Sequence, residues 1–346
     1  MIRKNKILFV SIALCLLFSC RKDKPENVSQ PGILIGPNGV FITNEGNFQF
    51  GNAQVSYYDP SQTTATQDLF QPANNRPLGD ICQSMCLLNG KIYLVINNSN
   101  KIEVVNENTF VSSSVITGFT SPRYFLPVSN SKAYVTDLNS NSISIVDLSN
   151  NIITGNIPCN GWTEELALVY GKAYVTNKVS NKIYVINTST DILTDSITIG
   201  YGSNSIVEDT NGKLWVLCGG NQSMAISASL HRINPATNIV EQTYTFSNSV
   251  DAPRKLHING TNDTLYYLNG GIYRMSVHSG LLPTSPFIQP GSNNFYGLGI
   301  DPNSSIVYVA DAVDYLQRGV IYRYQPDGTL INTFRAGIIP GDFYFK

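Results

Sequence analysis

The stretch KAYVTDLNSNSISIVD, residues 132–147, recurs with few changes as KAYVTNKVSNKIYVIN, residues 172–187. Each copy has a short apolar run around an aromatic residue (Tyr134 or Tyr174), a polar turn, and a second apolar run that ends in Asp or Asn. Runs of this length, rich in Val, Ile and Tyr and bounded by Asn and Ser, indicate β-strands joined by tight turns. The repetition indicates that one structural unit recurs along the chain.

The aromatic residue of this pattern, which we call the anchor, occurs seven times. Successive anchors are 52, 41, 40, 41, 51 and 42 residues apart, so there is one period with two insertions. The anchors are Phe41, Tyr93, Tyr134, Tyr174, Trp215, Tyr266 and Tyr308. The chain from the first anchor onward is therefore predicted to consist of seven repeats.

Most periods contain four strand-like runs. After the anchor strand come a second run such as IYVIN (183–187), a third such as DILTDSITIG (191–200), and a fourth such as SIVED (205–209) that leads to the next anchor. Several runs are apolar on both faces, which suits a sheet packed between two other sheets. The sequence predicts an all-β fold, a seven-bladed β-propeller with four-stranded blades.

The two ends of the chain predict how the ring closes. No complete strand precedes the first anchor, Phe41, whereas the last repeat is followed by an extra segment, IPGDFYFK. We expect this segment to pair inside the first blade, so that no sheet edge is left open.

Composition excludes several classes of protein. The 346 residues are 42% hydrophobic and 14% charged, with 23 Lys and Arg against 24 Asp and Glu. A chain with this balance has no basic groove for nucleic acid, and it is neither a multi-spanning membrane protein nor a disulfide-dense scaffold. We expect no nucleic-acid partner.

The N-terminus is predicted to be a targeting segment. Residues 1–19 join a cationic start to an apolar run that is too short for a comfortable membrane span, as in a secretion signal peptide. The run ends in Leu-Phe-Ser-Cys, similar to the lipobox of bacterial lipoproteins, which predicts lipidation of Cys20. Residues 20–36 are predicted to be a flexible tether and residues 37–346 the propeller. An uncleaved signal anchor with a buried Cys20 is the alternative.

The remaining cysteines do not predict disulfides. Cys82 and Cys86 are expected on one extended strand, where residues four apart are about 13 Å from each other and cannot be bridged. They, with Cys159 and Cys218, are predicted to be small apolar core residues.

No catalytic constellation stands out. The chain has no G-x-S-x-G elbow, no Walker loop and no dinucleotide fingerprint. Glu164 and Glu165 are adjacent, so on a regular strand they would face opposite ways, and we interpret them as turn carboxylates. We therefore predict that the protein is not an enzyme.

Metal and cofactor sites are not predicted either. Asp137-Leu138-Asn139-Ser140-Asn141 matches the start of an EF-hand loop, but Ser142 and Leu148 stand where Gly and Glu are needed. His231, His257 and His278 are scattered over three repeats without zinc spacing, and we interpret them as solvated or core histidines.

The turns that enter each innermost strand and those that leave each second strand gather on one face of a propeller. Aromatic and amide side chains at these turns suit a large ligand rich in amide or hydroxyl groups. The predicted ligand-binding residues are Phe48, Arg76, Arg123, Tyr124, Trp162, Asn204, Asn221, Arg254, Tyr296, Asp314 and Tyr315. Glu45, Asn47, Asn98, Asn139, Lys178, Asn269 and Asp342 lie at equivalent turns. Ordinary turn formation and sheet capping remain the alternative for each of them.

The YVTN and Ile-x-Val-Ile-Asn motifs of residues 132–187 resemble the YncE-like, YVTN-repeat propellers. More narrowly, FITNEGNFQFGNAQVSYYDP, NFYGLGIDP, VADAVDYLQRGVIYRY and AGIIPGDFYF resemble bacterial surface propeller lipoproteins of the cobalamin-capturing kind (BtuG-like, DUF5074-type). The resemblance covers residues 39–346. It implies a propeller that captures a small nutrient such as cobalamin and passes it to an outer-membrane transporter.

The sequence is compatible with two functions. One is capture of cobalamin, a related corrinoid or another small nutrient by a lipid-anchored outer-membrane protein. The other is a non-enzymatic surface protein whose propeller binds another protein or a glycan. The charged residues after Cys20 favour the cell surface over the periplasmic face.

Overall fold

The computed structural model describes residues 35–346, so the predicted signal peptide, Cys20 and most of the tether lie outside the described residues. No helix among residues 35–346 has the length and apolar character needed to cross a membrane. These residues form seven antiparallel sheets, which we number as blades 1 to 7 in chain order.

Five blades have four strands, which run in sequence order from the innermost to the outermost. Blade 2 contains β3 (Cys82–Leu88), β4 (Lys91–Ile96), β5 (Lys101–Asn106) and β6 (Ser112–Thr117). Blade 3 contains β7 (Pro122–Pro127), β8 (Lys132–Asp137), β9 (Ser142–Asp147) and β10 (Ile152–Pro158). Blade 4 contains β11 (Thr163–Val169), β12 (Lys172–Asn177), β13 (Lys182–Asn187) and β14 (Ile192–Thr198). Blade 5 contains β15 (Ser203–Glu208), β16 (Leu214–Cys218), β17 (Ser229–Asn234) and β18 (Ile239–Thr245), and blade 7 contains β22 (Phe295–Ile300), β23 (Val307–Asp311), β24 (Arg318–Tyr324) and β25 (Leu330–Ile338).

Blades 1 and 6 have three regular strands each. Blade 1 contains β1 (Val40–Asn44), β2 (Gln54–Tyr58) and β26 (Pro340–Phe345), and blade 6 contains β19 (Arg254–Ile258), β20 (Thr264–Asn269) and β21 (Gly271–Ser276). In each, one isolated bridge stands in place of the fourth strand, Tyr57 with Thr66 and Ile272 with Ile288. A short helix α1 (Phe70–Asn74) follows blade 1, and 3-10 turns occupy Asn97–Ser99 and Gln222–Met224.

The prediction of a seven-bladed propeller is confirmed, and so is its closure. β26 is the innermost strand of blade 1 and pairs antiparallel with β1, with Phe41 opposite Tyr344 and Ile42 opposite Phe343. Neighbouring innermost strands contact each other around the ring, and β26 lies between β22 of blade 7 and β3 of blade 2. The N- and C-terminal segments therefore share one sheet.

The anchors lie on the second strand of every blade and are at most 3% exposed. Two of them also connect neighbouring blades: the Tyr174 hydroxyl donates to the Pro235 carbonyl at 2.8 Å, and the Tyr134 hydroxyl donates to Asp191. A buried hydroxyl needs such a partner, since an unmet one costs about 1–3 kcal/mol. The aromatic repeat thus supplies both the apolar core of a blade and its connection to the next.

The four cysteines of the described residues are free thiols, and Cys82, Cys159 and Cys218 are buried. Cys86 is half-buried instead, because β3 opens towards the central channel at this point. Desolvation raises the pKa of Cys86 to about 11.

Candidate functional site

A cavity of about 390 Å³ opens at one end of the central channel, on the face where the innermost strands begin. We call this the upper face. Six of the predicted ligand-binding residues line the cavity: Arg123, Tyr124, Trp162, Asn204, Arg254 and Tyr296. The other lining residues are Glu45, Ile81, Gln83, Leu138, Glu164, Glu165, Lys178, Ser205 and Lys255.

Irregular pairing at the start of each innermost strand explains why these side chains reach the channel. The register shifts between Pro122 and Phe125 in β7 and between Thr163 and Leu166 in β11, and each of the other five innermost strands has such a shift near its start. A bulge interrupts the ordinary alternation of side chains and re-aims them. Arg123, Tyr124, Glu164 and Glu165 lie within these irregular segments.

The interpretation of Glu164 and Glu165 as turn carboxylates is wrong. Both belong to β11 and both line the cavity. The alternation argument assumed a regular strand, and the bulge between Thr163 and Leu166 removes that assumption. Gln83 and Lys255 are two further lining residues that were not singled out in the sequence.

One wall of the cavity is built around Arg123. Its guanidinium donates to Glu164 from Nε at 3.1 Å and from one terminal nitrogen at 2.9 and 3.2 Å, and the other terminal nitrogen donates to Gln83. The Glu164 side chain is 3% exposed. The Arg123 guanidinium also lies 5.6 Å from the centre of the Trp162 ring, whose other neighbour is the Lys178 ammonium at 5.0 Å. Within this wall the charges of Arg123 and Glu164 neutralise each other.

The opposite wall joins blades 6, 7 and 1. The Tyr296 hydroxyl donates to both carboxylate oxygens of Glu45, at 2.9 and 3.0 Å. Arg254 lies over the Tyr296 ring at 5.5 Å and donates to the Phe295 carbonyl at 2.9 Å. Desolvation by burial raises the pKa of Glu45, against the opposing effects of Lys255 and the Tyr296 hydrogen bond.

The floor of the cavity contains a buried ion pair and a carboxyl group that retains its proton. Lys255 Nζ lies 2.5 Å from an oxygen of Asp342. Burial raises the pKa of Glu165 to about 8, with Lys255 lowering it and Asp342 raising it further. Glu165 Oε2 accepts a hydrogen bond from the Ile206 amide at 3.1 Å. At neutral pH Glu165 is therefore mostly uncharged.

Tyr124 and Glu165 also line a second, lower chamber of about 460 Å³, and the channel is thus divided into two parts. The lower chamber is mainly apolar and includes Phe125, Leu256 and His257. Burial lowers the pKa of His257 to about 4, so this imidazole is neutral at pH 7.

Arg76 lies outside the cavity. It follows α1, its guanidinium stacks 4.8 Å from the Phe70 ring, and it forms an ion pair with the fully buried Glu103 on β5. Leu69, Phe70 and Leu78 of the same insertion are at most 2% exposed. This insertion contributes to the core between blades 1 and 2 rather than to the upper rim.

The other four predicted residues do not line the cavity and lie in turns that leave second strands. Asn221 is the N-cap of the 3-10 turn at Gln222–Met224 and accepts from the Met224 amide. The Asp314 carboxylate accepts from the amides of Leu316 and Gln317 at 2.9 Å. Tyr315 packs edge-on against Tyr296 at 5.9 Å and so extends the second wall outwards.

Phe48, the fourth, belongs to an apolar rim around the cavity. Phe48 is 61% exposed, and it lies in the same β1–β2 turn as Phe50, which is 77% exposed. Asn47 of this turn donates to the Tyr315 carbonyl at 2.6 Å, and the neighbouring Leu316 is 71% exposed. Apolar side chains left in water next to a concave polar site commonly mark a binding surface.

The protonation of Glu165 predicts a pH effect on stability. An unfolded Glu ionises near pH 4.5, whereas folded Glu165 keeps its proton up to about pH 8, so this group lowers the free energy of unfolding as pH rises between these values. We expect Glu165→Gln to stabilise the protein progressively over that interval, by at most about 5 kcal/mol at pH 8. Thermal unfolding of both proteins at pH 5 and pH 8 measures the difference. A gain for Glu165→Gln that is equal at both pH values would contradict the assignment.

Fold and site together define a seven-bladed β-propeller with a charged and aromatic pocket at one end of its channel. The chain belongs to the family described as Domain of unknown function (DUF5074), whose model matches residues 38–333. A comparison with curated proteins found no match.

Solved structures with the same fold have unrelated names. A quinonprotein alcohol dehydrogenase-like protein from Bacteroides thetaiotaomicron is 16% identical, with a TM-score of 0.68 over 89% of this chain and 78% of that one. Hydrazine synthase from Kuenenia stuttgartiensis is 15% identical, with a TM-score of 0.62 over 74% and 89% of the two chains. The computationally designed protein Ika8 is 9% identical, with a TM-score of 0.59 over 88% and 91%. At these identities the likeness shows the fold alone.

Proposed function

We propose that this protein is a lipid-anchored propeller that captures a small nutrient at the upper face. Cobalamin or a related corrinoid is the ligand, which the protein delivers to an outer-membrane transporter from the cell surface. The proposal contains no catalytic step. The observation that carries it is the cavity at the channel mouth, where aromatic rings, amides and charged groups converge.

The dimensions of the cavity suit part of such a ligand. A volume of about 390 Å³ lies within the range of roughly 300–1,000 Å³ for small-molecule sites. A corrinoid is larger than this, so some of it would lie above the mouth, against the apolar rim that includes Phe48, Phe50 and Leu316. Its peripheral amides would find partners in Gln83 and Asn204, and its flat macrocycle would find contact area on Trp162 and the exposed rings.

The sequence supports the choice of ligand. The segments FITNEGNFQFGNAQVSYYDP and VADAVDYLQRGVIYRY, which resemble the cobalamin-capturing lipoproteins, contain the β1–β2 and β23–β24 turns. Those two turns form the rim beside the Tyr296 wall. The resemblance therefore includes residues at the mouth of the cavity.

Titration of the purified protein with cobalamin tests the proposal, followed by calorimetry because this method also reports binding by a variant that lacks Trp162. We expect binding at micromolar concentrations or tighter. Trp162→Ala should weaken it at least tenfold, because a half-buried aromatic residue at the centre of a site commonly contributes more than about 1–2 kcal/mol.

The matched control is Tyr170→Ala, which removes a 70% exposed aromatic residue from the turn between β11 and β12 on the lower face. This variant should bind like the wild type. Absence of cobalamin binding by the wild-type protein would remove the corrinoid from the proposal, and equal losses in the two variants would remove the upper cavity as its site.

The exposed rim favours a second function, binding of another protein or a glycan by a non-enzymatic surface propeller. Phe50 and Leu316 together present large apolar side chains to solvent next to a concave site. Capture of one defined envelope protein without any small ligand, lost in Phe50→Ser and Leu316→Ser, would support this alternative.

A further inference from the structure

The charges of the upper cavity are unevenly paired. Of its four cations, Arg123 is bound by Glu164 and Lys255 by Asp342. Lys178 and Arg254 form no salt bridge with any carboxylate among residues 35–346. Lys178 and Arg254 therefore have no directly bonded carboxylate, and the remaining lining carboxylate of this region, Glu45, is bound by the Tyr296 hydroxyl instead.

These two cations belong to one arc of the mouth, formed by blades 4 to 6 and the start of blade 7. We call Trp162, Lys178, Asn204, Arg254 and Tyr296 the cationic arc; all five line the cavity. Lys178 lies against the Trp162 ring and Arg254 against the Tyr296 ring, so each cation is held over an aromatic face. Desolvation lowers the pKa of Lys178. The positive charges of Arg123, Lys255 and Arg254 lower this pKa further, whereas the negative charge of Glu164 raises it.

The same arc leaves space for a ligand. The residue after the second strand is large in blades 1, 3 and 4, where it is Glu45, Leu138 or Lys178, and all three line the cavity. In blades 5, 6 and 7 the equivalent residues are Gly219, Gly270 and Ala312. The small residues remove side chains from the mouth just where Asn204, Arg254 and Tyr296 face it.

The donors of the arc suit a tetrahedral anion better than a planar one. One terminal nitrogen of Arg254 already donates to the Phe295 carbonyl. The two terminal nitrogens are therefore not both free to bind the two oxygens of a planar carboxylate. Lys178 supplies a point charge from another blade. The Trp162 indole N–H is buried and has no acceptor among the described residues, and it would gain one from an anion oxygen after a small side-chain shift.

We propose that the cationic arc binds the phosphate group of an organic phosphate ester, with Lys178 and Arg254 as its two charged contacts. This inference rests on the proposed function only in that both use the upper cavity as a ligand site. The aromatic rings of Trp162 and Tyr296 then contact the organic part of the same ligand. The neutral ion pair of Arg123 with Glu164 lies beside Trp162 and is not used by the ligand.

Phenyl phosphate and benzoate are matched probes, because they carry the same ring on a tetrahedral and a planar anion. We titrate each into the purified protein at constant ionic strength and follow tryptophan fluorescence. A ligand-dependent change reports Trp162, because the other tryptophan, Trp215, is fully buried and does not line the cavity. We expect phenyl phosphate to bind at least tenfold tighter than benzoate. Lys178→Gln and Arg254→Gln should each weaken phenyl phosphate about tenfold, as expected for loss of one charge-assisted contact.

The control is Lys91→Gln, which removes a cation from the start of β4 on the lower face and should leave phenyl phosphate binding unchanged. Equal binding of the two probes, or equal affinity in all variants, would overturn the inference. Cobalamin binding by a protein that binds phenyl phosphate and benzoate equally would overturn the inference and leave the proposed function intact. Phenyl phosphate binding without cobalamin binding would support the phosphate site and overturn the proposed function.

Discussion

Removal of the last four residues, Phe343–Lys346, is expected to abolish the closed ring. The three pairs Val40 with Phe345, Phe41 with Tyr344 and Ile42 with Phe343 join the chain ends in blade 1. The deletion removes the partner of β1 along most of its length, and β1 becomes an open edge facing the channel.

The lost side chains also connect blade 1 to both neighbours. Phe343 and Phe345 pack on Tyr308 of blade 7, with ring centres 5.8 and 5.3 Å away. The Tyr344 hydroxyl accepts from the Met85 amide of blade 2 at 2.9 Å. Loss of one buried Phe costs about 3–5 kcal/mol, and a typical domain has only about 5–15 kcal/mol in total. We expect an insoluble chain, or a thermal midpoint lowered by about 15 °C or more.

Thermal unfolding followed by circular dichroism and gel filtration measures this effect. Removal of Lys346 alone is the matched control and should change the midpoint by only a few degrees. If the truncated chain cannot be purified, Phe343→Ala gives the same information at a smaller scale, with an expected loss of about 3–5 kcal/mol. A truncated protein that unfolds at the wild-type midpoint would contradict ring closure by β26.

The ring could be predicted from the sequence because its determinants repeat. Each blade places an aromatic anchor on its second strand, so seven anchors at one period give seven blades without any knowledge of the loops. Closure could be predicted because the segment IPGDFYFK follows the seventh repeat, while the first repeat lacks a strand before its anchor. Both inferences depend on local strand patterns, which the fold preserves in every blade.

The insertion before Tyr93 could not be interpreted from its position alone. Insertions in repeat proteins commonly form loops on the binding face, and Arg76 was predicted to bind ligand because it lies in the turn that enters the innermost strand of blade 2. Here the inserted residues instead compensate for the missing fourth strand of blade 1, since Leu69 and Phe70 fill the core beside the single bridge of Tyr57 with Thr66. Nothing in the local sequence separates these two outcomes before the packing is known.

The repeat period of the sequence does indicate that Glu164 lies in the cavity. Gln83, Arg123, Glu164 and Asn204 are 40 or 41 residues apart, the same period as the anchors of these blades. Alignment of the repeats would have placed Glu164 beside Arg123 in the ring. The rule that side chains alternate between the two faces of a strand led to the wrong interpretation of Glu164. That rule does not apply at the bulge near the start of each innermost strand.

Arg123→Met is expected to destabilise the protein by about 3–5 kcal/mol, because it leaves Glu164 buried without its cation. The pair has side chains only 14% and 3% exposed, and three of its hydrogen bonds are charge-assisted. Glu164→Gln should lower the free energy of unfolding by less than this. Arg123 keeps its hydrogen bond to Gln83, and the amide oxygen introduced at position 164 can still accept a hydrogen bond from Arg123. The double variant Arg123→Met with Glu164→Gln should recover much of the loss, because no buried charge is left unpaired.

The surface pair of Lys213 and Glu241 is the control for this cycle. Its nitrogen-oxygen distance, 2.8 Å, is similar to the 2.9 Å of the Arg123–Glu164 pair, but its side chains are 20% and 30% exposed. Lys213→Met should therefore cost less than about 1 kcal/mol, with little coupling to Glu241→Gln. Urea unfolding of the four variants and both double variants measures the two coupling energies. Equal coupling in the two pairs would mean that water screens the channel as well as it screens the surface, and the electrostatic basis for a ligand site at the channel mouth would then fail.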